Sequence, residues 1–236
     1  MTHRLMKAFA IIQAGVLVAG PLQGQARANN PVGTFWVMPY VGVGFENRFY
    51  DGIVTFSNAK TKSLLIDPGS AIVVGAEAGY RFRAAWSVYA GVSTSSPTGQ
   101  YIENLTLQPD VTLKTTKLDA GVLYDVLTMP VGGKSALLSI GGGISLTMQS
   151  LHQFSWKGNT VEPSSSSAGL HALAALDIPL GSKLSFNAQT KLTVSSLARG
   201  NLQNEIALAE GGGVTAQLDS RTLTDFLISG GLRIRF

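Results

Sequence analysis

The sequence contains no cysteine, few charged residues and no long apolar run. Without cysteine, disulfide bonds and thiolate metal sites are excluded, so the fold must be held by packing and hydrogen bonds. Charged residues make up 14% of the chain and hydrophobic residues 45%, whereas charged residues are about 25% of a typical soluble domain. No stretch beyond the N-terminal segment offers about 18 consecutive apolar residues, so no membrane-spanning helix is predicted.

The first 28 residues have the three parts of a secretory signal peptide. Met1 to Lys7 is basic, Ala8 to Gly20 is apolar but too short to span a bilayer, and Ala26-Arg27-Ala28 is a small-x-small cleavage site. We predict that residues 1–28 are removed and that residues 29–236 form one domain. Removal leaves 15 basic and 14 acidic residues. The basic charge therefore belongs mainly to the leader, and nucleic-acid binding is not predicted.

The remaining chain consists of segments in which apolar and polar residues alternate. Such alternation is typical of β-strands with one apolar face. The segments are about 10 to 16 residues long, which exceeds the usual 5 to 6 of globular strands and suits a tilted membrane-spanning strand of about 9 to 11 residues with a protruding end. Eight segments are predicted, near residues 34–46, 70–83, 85–96, 112–127, 136–150, 167–179, 183–197 and 221–236.

Long and short connections alternate between these segments. Long polar segments cover 47–69, 97–111, 157–166 and 198–220, and tight turns lie near 83–85, 129–134 and 179–182. An up-and-down barrel places all short turns on one rim, whereas a soluble Greek-key sandwich has no reason to keep this order. The predicted fold is all-β: an eight-stranded antiparallel up-and-down transmembrane β-barrel with short periplasmic turns and long extracellular loops.

The charged residues of each strand share one face. In the last strand Phe226, Ile228 and Ile234 oppose Arg233 and Arg235. A charge at the lipid-facing midplane costs about 2 to 4 kcal/mol, so the charged face must be the interior, and open strand edges must close into a barrel. The predicted lumen charge network has six residues of each sign: Glu46, Glu77, Asp119, Asp125, Asp177, Asp225, Arg81, Arg83, Lys117, Lys191, Arg233 and Arg235.

The predicted interior has two interpretations. Eight strands leave an interior just wide enough to be filled by side chains, which favours a plug of ion pairs. The alternative is a polar pathway for a small solute. Parity also places Trp36, Met38 and Tyr40 inside, where they add bulk, and a narrow apolar tunnel lined by Trp36, Met38 and Leu137 stays open as a further alternative.

Aromatic residues collect near the predicted short-turn rim. Tyr80, Phe82, Trp86, Tyr124 and Phe236 alternate outward close to strand ends. Aromatic side chains prefer the membrane–water interface, so these five residues form a predicted membrane girdle.

No residue pattern indicates a metal site, a cofactor site or a catalytic site. Two histidines follow the leader, and no metal-ligand cluster is present. His171 is predicted to form hydrogen bonds in the lumen and His152 to lie at the rim of the fifth strand. A nucleophile and its base would have to be assembled from unpatterned serines, so the chain is predicted not to be an enzyme.

Three motifs carry a resemblance to a known family. The segments Tyr40 to Phe45, Gly79 to Phe82 and Leu232 to Phe236 resemble strands of the small eight-stranded outer-membrane barrels. These include the transmembrane domain of outer-membrane protein A, the opacity proteins and the outer-membrane protein W type. The resemblance implies export to the outer membrane of a Gram-negative cell envelope, contact with its lipid and lipopolysaccharide, and handling by periplasmic chaperones. It also implies that Phe236 is the assembly signal recognised by the barrel-assembly machinery.

The resemblance leaves three functions to compare. The leading hypothesis is a non-enzymatic barrel whose surface loops meet extracellular ligands, in envelope or adhesion interactions, around a plugged lumen. The second is a narrow, porin-like channel for small or hydrophobic solutes. The third is a lipid A-modifying enzyme, but the deacylases of this class would require a His-x-Ser pair, and neither His152-Gln153-Phe154 nor His171-Ala172-Leu173 matches.

Overall fold

The computed structural model describes residues 32–45, 49–58, 60–67, 69–131, 133–196, 201–211, 215–218 and 222–236. The predicted signal peptide at 1–28 and the predicted lumen residue Glu46 lie outside these ranges. No helix among the described residues combines the length and the apolar character needed to cross a bilayer.

Eight antiparallel strands close into a barrel, which confirms the predicted fold class. Each strand pairs with the next along the chain, the first pairs with the last, and the β7–β8 pairing completes the cylinder. Short turns join alternate strand pairs at one rim, and long connections join the others at the opposite rim. The barrel strands are β1 Phe35–Phe45, β4 Ala71–Arg83, β5 Trp86–Ser95, β7 Thr106–Val131, β8 Lys134–His152, β11 Ser164–Pro179, β12 Leu184–Ser196 and β14 Thr222–Arg235.

The long connections are structured, whereas the sequence pattern predicted polar loops. They contain further strands and one nine-residue helix. Strands β13, β2, β3 and β6 extend the barrel sheet outward from β7, and β9 and β10 form a separate hairpin. The added elements are β2 Tyr50–Phe56, β3 Thr61–Ile66, β6 Thr98–Glu103, β9 Phe154–Trp156, β10 Asn159–Val161, α1 Leu202–Glu210 and β13 Ala216–Leu218.

These elements enclose a second hydrophobic core beyond the long-loop rim, and we call this region the cap. The core lies under α1, whose Leu202 and Ile206 are buried against it. The alternating residues of β2 point their apolar side chains inward, as the burial pattern of Tyr50–Phe56 shows. The cap core comprises Phe49, Tyr50, Val54, Phe56, Leu64, Ile66, Tyr101, Val111, Leu113, Leu151, Phe154, Trp156, Val161, Leu202, Ile206, Ala216 and Leu218.

Strand β7 connects the two parts of the molecule. It has 26 residues, which at about 3.3 Å per residue is far longer than the bilayer requires. Its second half pairs with β5 in the barrel wall, while its first half pairs with β6 in the cap. Strand β8 follows it along most of its length. Cap and barrel therefore share one continuous sheet.

Glycine allows β7 and β8 to approach closely in the barrel wall. A Cβ atom on Gly143 would lie 2.0 Å from the Ala120 carbonyl oxygen and 2.5 Å from the Gly121 Cα atom. Both contacts involve backbone, which cannot move aside without disturbing the ladder. The Gly141-Gly142-Gly143 run is thus a packing device of the wall rather than a phosphate-binding loop.

Candidate functional site

The candidate site has two parts, the charged barrel lumen and the cap above it. The structure places ten of the predicted charged residues in the lumen, and most of them are buried. Their carboxylates and cations are equal in number among the described residues. This lumen network consists of Glu77, Asp119, Asp125, Asp177, Asp225, Arg81, Lys117, Lys191, Arg233 and Arg235.

Lys191 is the centre of the network. Its ammonium lies 3.0 Å from Glu77 Oε1 and 2.8 Å from Asp119 Oδ2, and its side chain is 4% exposed. These groups come from β12, β4 and β7, so one cation holds three strands together across the lumen. A buried cation between two carboxylates is stable only while all of its partners are present.

A directed chain of hydrogen bonds leads away from this centre. Ser145 Oγ donates to Asp119 Oδ1 at 2.5 Å and lies 2.8 Å from His171 Nδ1. Because Ser145 gives its proton to the carboxylate, His171 donates from Nδ1, and its Nε2 accepts from the Tyr89 hydroxyl. His171 thus occupies the lumen with both ring nitrogens bonded.

Two ion-pair groups close the short-turn end of the lumen. Arg81 Nη2 lies 2.5 Å from Asp125 Oδ2. Asp177 binds Arg235 and lies 3.7 Å from Arg233 Nη1. The Arg233 guanidinium also stacks 4.2 Å from the Trp36 ring centroid, which provides a cation–π contact at the same end.

At the long-loop end, Lys117 Nζ and Asp225 Oδ1 form a pair at 2.5 Å. This pair is more exposed than the central one, with side-chain exposures of 18% and 16%. Charges therefore occur at both ends and in the middle of the lumen.

The predicted position of Arg83 in the lumen is wrong. A β-bulge between Arg81 and Arg83 shifts the register, so that Arg83 lies opposite Trp86 rather than continuing the inward series. Directly opposed residues share a face, and Trp86 faces outward. Arg83 is exposed at the short-turn rim.

Apolar side chains fill the lumen between the charged layers, which argues against the alternative of a narrow apolar tunnel. Trp36 and Met38 are buried in a cluster with Tyr40, Tyr89 and other residues, and Trp36 borders only the small cavity at the short-turn end. Leu137 is also buried. The cavities found at the two ends of the lumen have volumes of about 20 Å³ and 10 Å³. Spaces of this size hold about one water molecule each.

The five predicted girdle residues are exposed on the outer wall. Trp86 and Tyr124 lie side by side across β5 and β7, with ring centroids 4.8 Å apart. Phe236 packs against Phe35, with ring centroids 6.2 Å apart, next to the seam where β14 meets β1. The wall above them is apolar, with exposed residues such as Ile72, Ile144 and Leu170.

Ion pairs join all four long connections within the cap. Lys62 on β3 lies 2.8 Å from Glu103 on β6 and 3.4 Å from Glu210 on α1. Glu210 also binds Lys157 in the β9–β10 turn. The Lys62 ammonium stands 4.7 Å from the ring centroid of Trp156. These cap ion pairs fix the helix and the hairpins relative to one another.

The local charges shift the pKa values of two cap residues. Burial would raise the pKa of the Glu210 carboxyl, but the hydrogen bond from Lys157 and the charge of Lys62 outweigh it and hold the pKa below its ordinary value. Burial would lower the pKa of Lys62, but its hydrogen bond with Glu103 and the two nearby carboxylates raise it. Both shifts mean that the charged forms stabilise the folded cap.

Backbone and side-chain bonds hold the helix start on the barrel. Asn201 Oδ1 accepts a hydrogen bond from the backbone N–H of Ser164 at 2.6 Å, and the backbone N–H of Asn201 donates to the Ser164 carbonyl oxygen at 3.1 Å. The Tyr101 hydroxyl donates to the Ser155 carbonyl and so links β6 with β9. The cap is therefore bonded to the barrel strands as well as packed on them.

Sequence reasoning missed several of these residues. Ser145 and Tyr89 look like ordinary lumen residues, and only the fold brings them to His171. The predicted rim residue His152 lies at the end of β8, 3.2 Å from Glu162. Across the described part of the chain, no three His, Asp or Glu side chains converge to hold a metal ion.

Comparison with solved structures identifies the architecture. OprG from Pseudomonas aeruginosa, an outer membrane protein, superposes with a TM-score of 0.58 at 15% identity, over 87% of this chain and 96% of OprG. Neisserial surface protein A superposes with a TM-score of 0.51 at 15% identity, over 86% of this chain and 99% of its own. The chain has the fold of the small eight-stranded outer-membrane barrels. No protein-family model and no curated protein sequence matches it.

The outer-membrane barrel fold explains the division into lumen and wall. In this fold the outer wall meets hydrocarbon and the short turns face the periplasm. The lumen network and the cap follow one another along the barrel axis, with the cap at the long-loop rim.

We expect removal of the central cation to destabilise this barrel strongly. Lys191→Met leaves Glu77 and Asp119 buried without their partner, which should lower the free energy of unfolding by about 3 to 5 kcal/mol. Urea unfolding of the refolded protein, followed by tryptophan fluorescence, measures the change. Lys114→Met is the control, because Lys114 is exposed and has no recorded ion pair among the described residues.

A rescue variant separates loss of pairing from loss of packing. Adding Glu77→Gln and Asp119→Asn to Lys191→Met should recover much of the lost stability, because no uncompensated charge then remains. Equal urea-unfolding midpoints for Lys191→Met and Lys114→Met would contradict the central role of the Lys191 cation.

The cap should loosen in acid. Because the folded pKa of Glu210 is lowered, its contribution is present above the ordinary carboxyl pKa of 4.5 and is lost as the pH falls through the lower folded value. The chain has no cysteine, so spin labels at Leu208→Cys and Thr160→Cys report the distance between α1 and β10. We expect a narrow distance distribution at neutral pH that broadens below 4.5. Glu210→Gln should broaden it already at neutral pH, and an unchanged distribution in that variant would oppose the assignment.

Proposed function

We propose that this chain is an integral outer-membrane protein whose cap is an extracellular binding surface and whose barrel is a plugged, non-enzymatic anchor. The observation that carries the proposal is the combination of a closed lumen with external connections folded around their own core. A channel needs a continuous passage, and a binding surface needs a defined shape. This molecule has the second property and lacks the first along its described residues.

The lumen supports the anchor role. Buried ion pairs occupy the centre and the short-turn end, a partly exposed pair occupies the long-loop end, and an apolar cluster lies between them. A solute would have to separate these pairs and leave buried charges without a partner, which is energetically costly. The cavities at the two ends, at about 20 Å³ and 10 Å³, are far smaller than any organic solute.

The cap supports the binding role. Its core and ion pairs preorganise the surface, so little conformational entropy is lost when a ligand binds. Apolar side chains nevertheless remain exposed on the cap. Leu105 is 91% exposed at the tip of the β6–β7 hairpin. Leu107, at the start of β7, and Leu208, on α1, are exposed as well. Asn104 and Leu105 have positive φ values of 48° and 66°. Positive φ at both residues is the geometry of a two-residue type I′ hairpin turn, and this turn holds the Leu105 side chain at the tip, where it is available for a contact outside the molecule.

The lumen serine and histidine do not favour catalysis. A serine nucleophile gives its proton to histidine, whereas Ser145 gives its proton to Asp119 and accepts from His171. Ser145, His171 and Asp119 are also buried. The group therefore fits a structural role in the plug.

The remaining partners follow from the proposed location. The outer wall would contact outer-membrane lipid and lipopolysaccharide. Phe236 would serve as the assembly signal for the barrel-assembly machinery, after delivery by periplasmic chaperones.

Planar-bilayer recording tests the plug. The purified protein should show no steady conductance. Lys191→Met combined with Arg81→Met should show openings, because the ion pairs at the centre and at the short-turn end of the lumen are both lost. Steady openings of the unmodified protein that stop when Gly75, a lumen residue beside Tyr40, is enlarged would favour the narrow channel instead.

Cell adhesion tests the cap. Cells that display Leu105→Asn together with Leu107→Asn and Leu208→Asn should adhere less to a ligand-bearing or apolar surface than cells with the unmodified protein. The matched control replaces leucines of the membrane wall, Leu118→Val and Leu170→Val, and should leave adhesion unchanged. Equal adhesion by all three strains at equal surface levels would reject the binding role of these side chains.

A further inference from the structure

The short-turn rim carries a set of cations that the lumen network does not use. One basic residue stands at each of the three short turns: Arg83 ends β4, Lys134 begins β8, and Lys183 directly precedes β12. All three side chains are exposed. We call Arg83, Lys134 and Lys183 the rim cations.

The rim cations have no carboxylate partner among the described residues. Lys134 Nζ reaches only the Leu180 carbonyl oxygen, at 3.4 Å. The nearest carboxylates along the strands, Asp125 and Asp177, are buried in the lumen and already paired with other arginines. The rim therefore presents uncompensated positive charge.

The lumen groups at this end do not cancel that charge. The cavity at the short-turn end is lined by Arg81, Arg233 and Arg235, whereas Asp125 is the single carboxylate in its lining. Asp177, which pairs with Arg235, is a second carboxylate at this end. The three arginines still outnumber the two carboxylates. An anion that approaches this rim meets a net positive field from both the turns and the lumen mouth.

The bulge in β4 directs one of these cations toward lipid. Because Arg83 lies opposite Trp86, it shares the outer face with an aromatic residue instead of the lumen face. Phe82 and Tyr124 are exposed beside this position, and such aromatic residues lie at the level of the lipid headgroups. Arg83 therefore lies among the aromatic residues that would mark the headgroup level in a membrane.

The cations are distributed around the circumference of the barrel. In the strand order of the closed sheet, the three turns occupy three of the four positions at which strand ends meet on this rim. The fourth position is the seam between β1 and β14, with the Phe35–Phe236 contact. The arrangement therefore matches a surrounding layer of ligands rather than one pocket.

We propose that the short-turn rim binds the headgroups of anionic phospholipids in the adjoining leaflet. The rim cations contact the phosphates, and the aromatic girdle contacts the glycerol and upper acyl region. Anionic lipid is the favoured occupant because Arg83 shares the outer, membrane-facing side of the barrel with Trp86, where a soluble polymer has no access. This inference depends on membrane insertion and is independent of what the cap binds.

The chain contains its own reporter for this contact. Of its three tryptophans, Trp86 is exposed beside Arg83, whereas Trp36 and Trp156 are buried in the lumen cluster and the cap core. Bromine atoms on lipid acyl chains quench a tryptophan that they touch. In vesicles whose two leaflets have the same composition, Trp86 meets the same lipids in either orientation of the barrel. The assay is therefore insensitive to the direction of insertion.

The experiment compares quenching by brominated phosphatidylglycerol with quenching by brominated phosphatidylcholine. The ratio gives a relative association constant, which we expect to favour phosphatidylglycerol at low salt and to fall as added salt screens the rim charges. Arg83→Gln should reduce the preference about fivefold, in line with the attraction of one cation near an anionic surface. Adding Lys134→Gln and Lys183→Gln should remove the remaining preference.

The matched control removes exposed cations from the opposite end. Lys60→Gln with Lys114→Gln should leave the quenching ratio unchanged, and Trp86→Phe should abolish the lipid-dependent signal. Heat-dependent migration on gels verifies that each variant folds. The same ratio in the unmodified protein and the triple variant would overturn the proposal. The proposal would also be overturned if the protein cosedimented with purified peptidoglycan only when the rim cations were present, while its lipid preference did not depend on them.

Discussion

The structure depends on one constraint, that hydrocarbon accepts neither a charge nor an unpaired backbone group. Closure of β1 on β14 and of β7 on β8 leaves the wall without an open edge. The same constraint sends the charges of the spanning strands to the lumen, where they must find partners. Lys191 meets this need for two carboxylates at once. The plug is therefore a consequence of how the wall is made compatible with lipid.

Beyond the wall the constraint is lifted, and ordinary burial organises the chain. The cap has the features of a small globular domain: apolar side chains inside, ion pairs such as Lys62–Glu103 outside, and a helix packed through Leu202 and Ile206. It differs from an independent domain because its sheet continues into β7 of the barrel. Two kinds of core, one polar and one apolar, are thus stacked along the same strands.

The sequence was sufficient for the barrel because period-2 alternation is local and a membrane enforces it. The eight strands and the facing of residues such as Glu77 and Asp119 follow from period-2 alternation, and their order follows from the alternation of long and short connections. Arg83 escaped this reasoning, because a one-residue bulge reverses parity and leaves no mark in the hydrophobic pattern. The Ser145–His171 contact could not be predicted either, since it depends on the register between β8 and β11.

The cap was missed for a different reason. Its strands are short, and polar residues between them made the long connections look like loops. The alternation of Tyr50, Val54 and Phe56 was nevertheless present. What the sequence does not contain is the pairing of β2 with β13, whose residues lie about 160 positions apart along the chain. Contacts of such long range carry no local signal.

The continuity of β7 also has a mechanical meaning. A load applied at the β6–β7 tip enters a single covalent strand that runs into the membrane wall. Tension is then shared along the ladders with β8 and β5, whose hydrogen bonds lie across the strand direction and resist shear together. The cap side chains need not carry the force. Under the proposed binding role, the barrel wall would carry a load on this tip, and the cap would orient the hairpin.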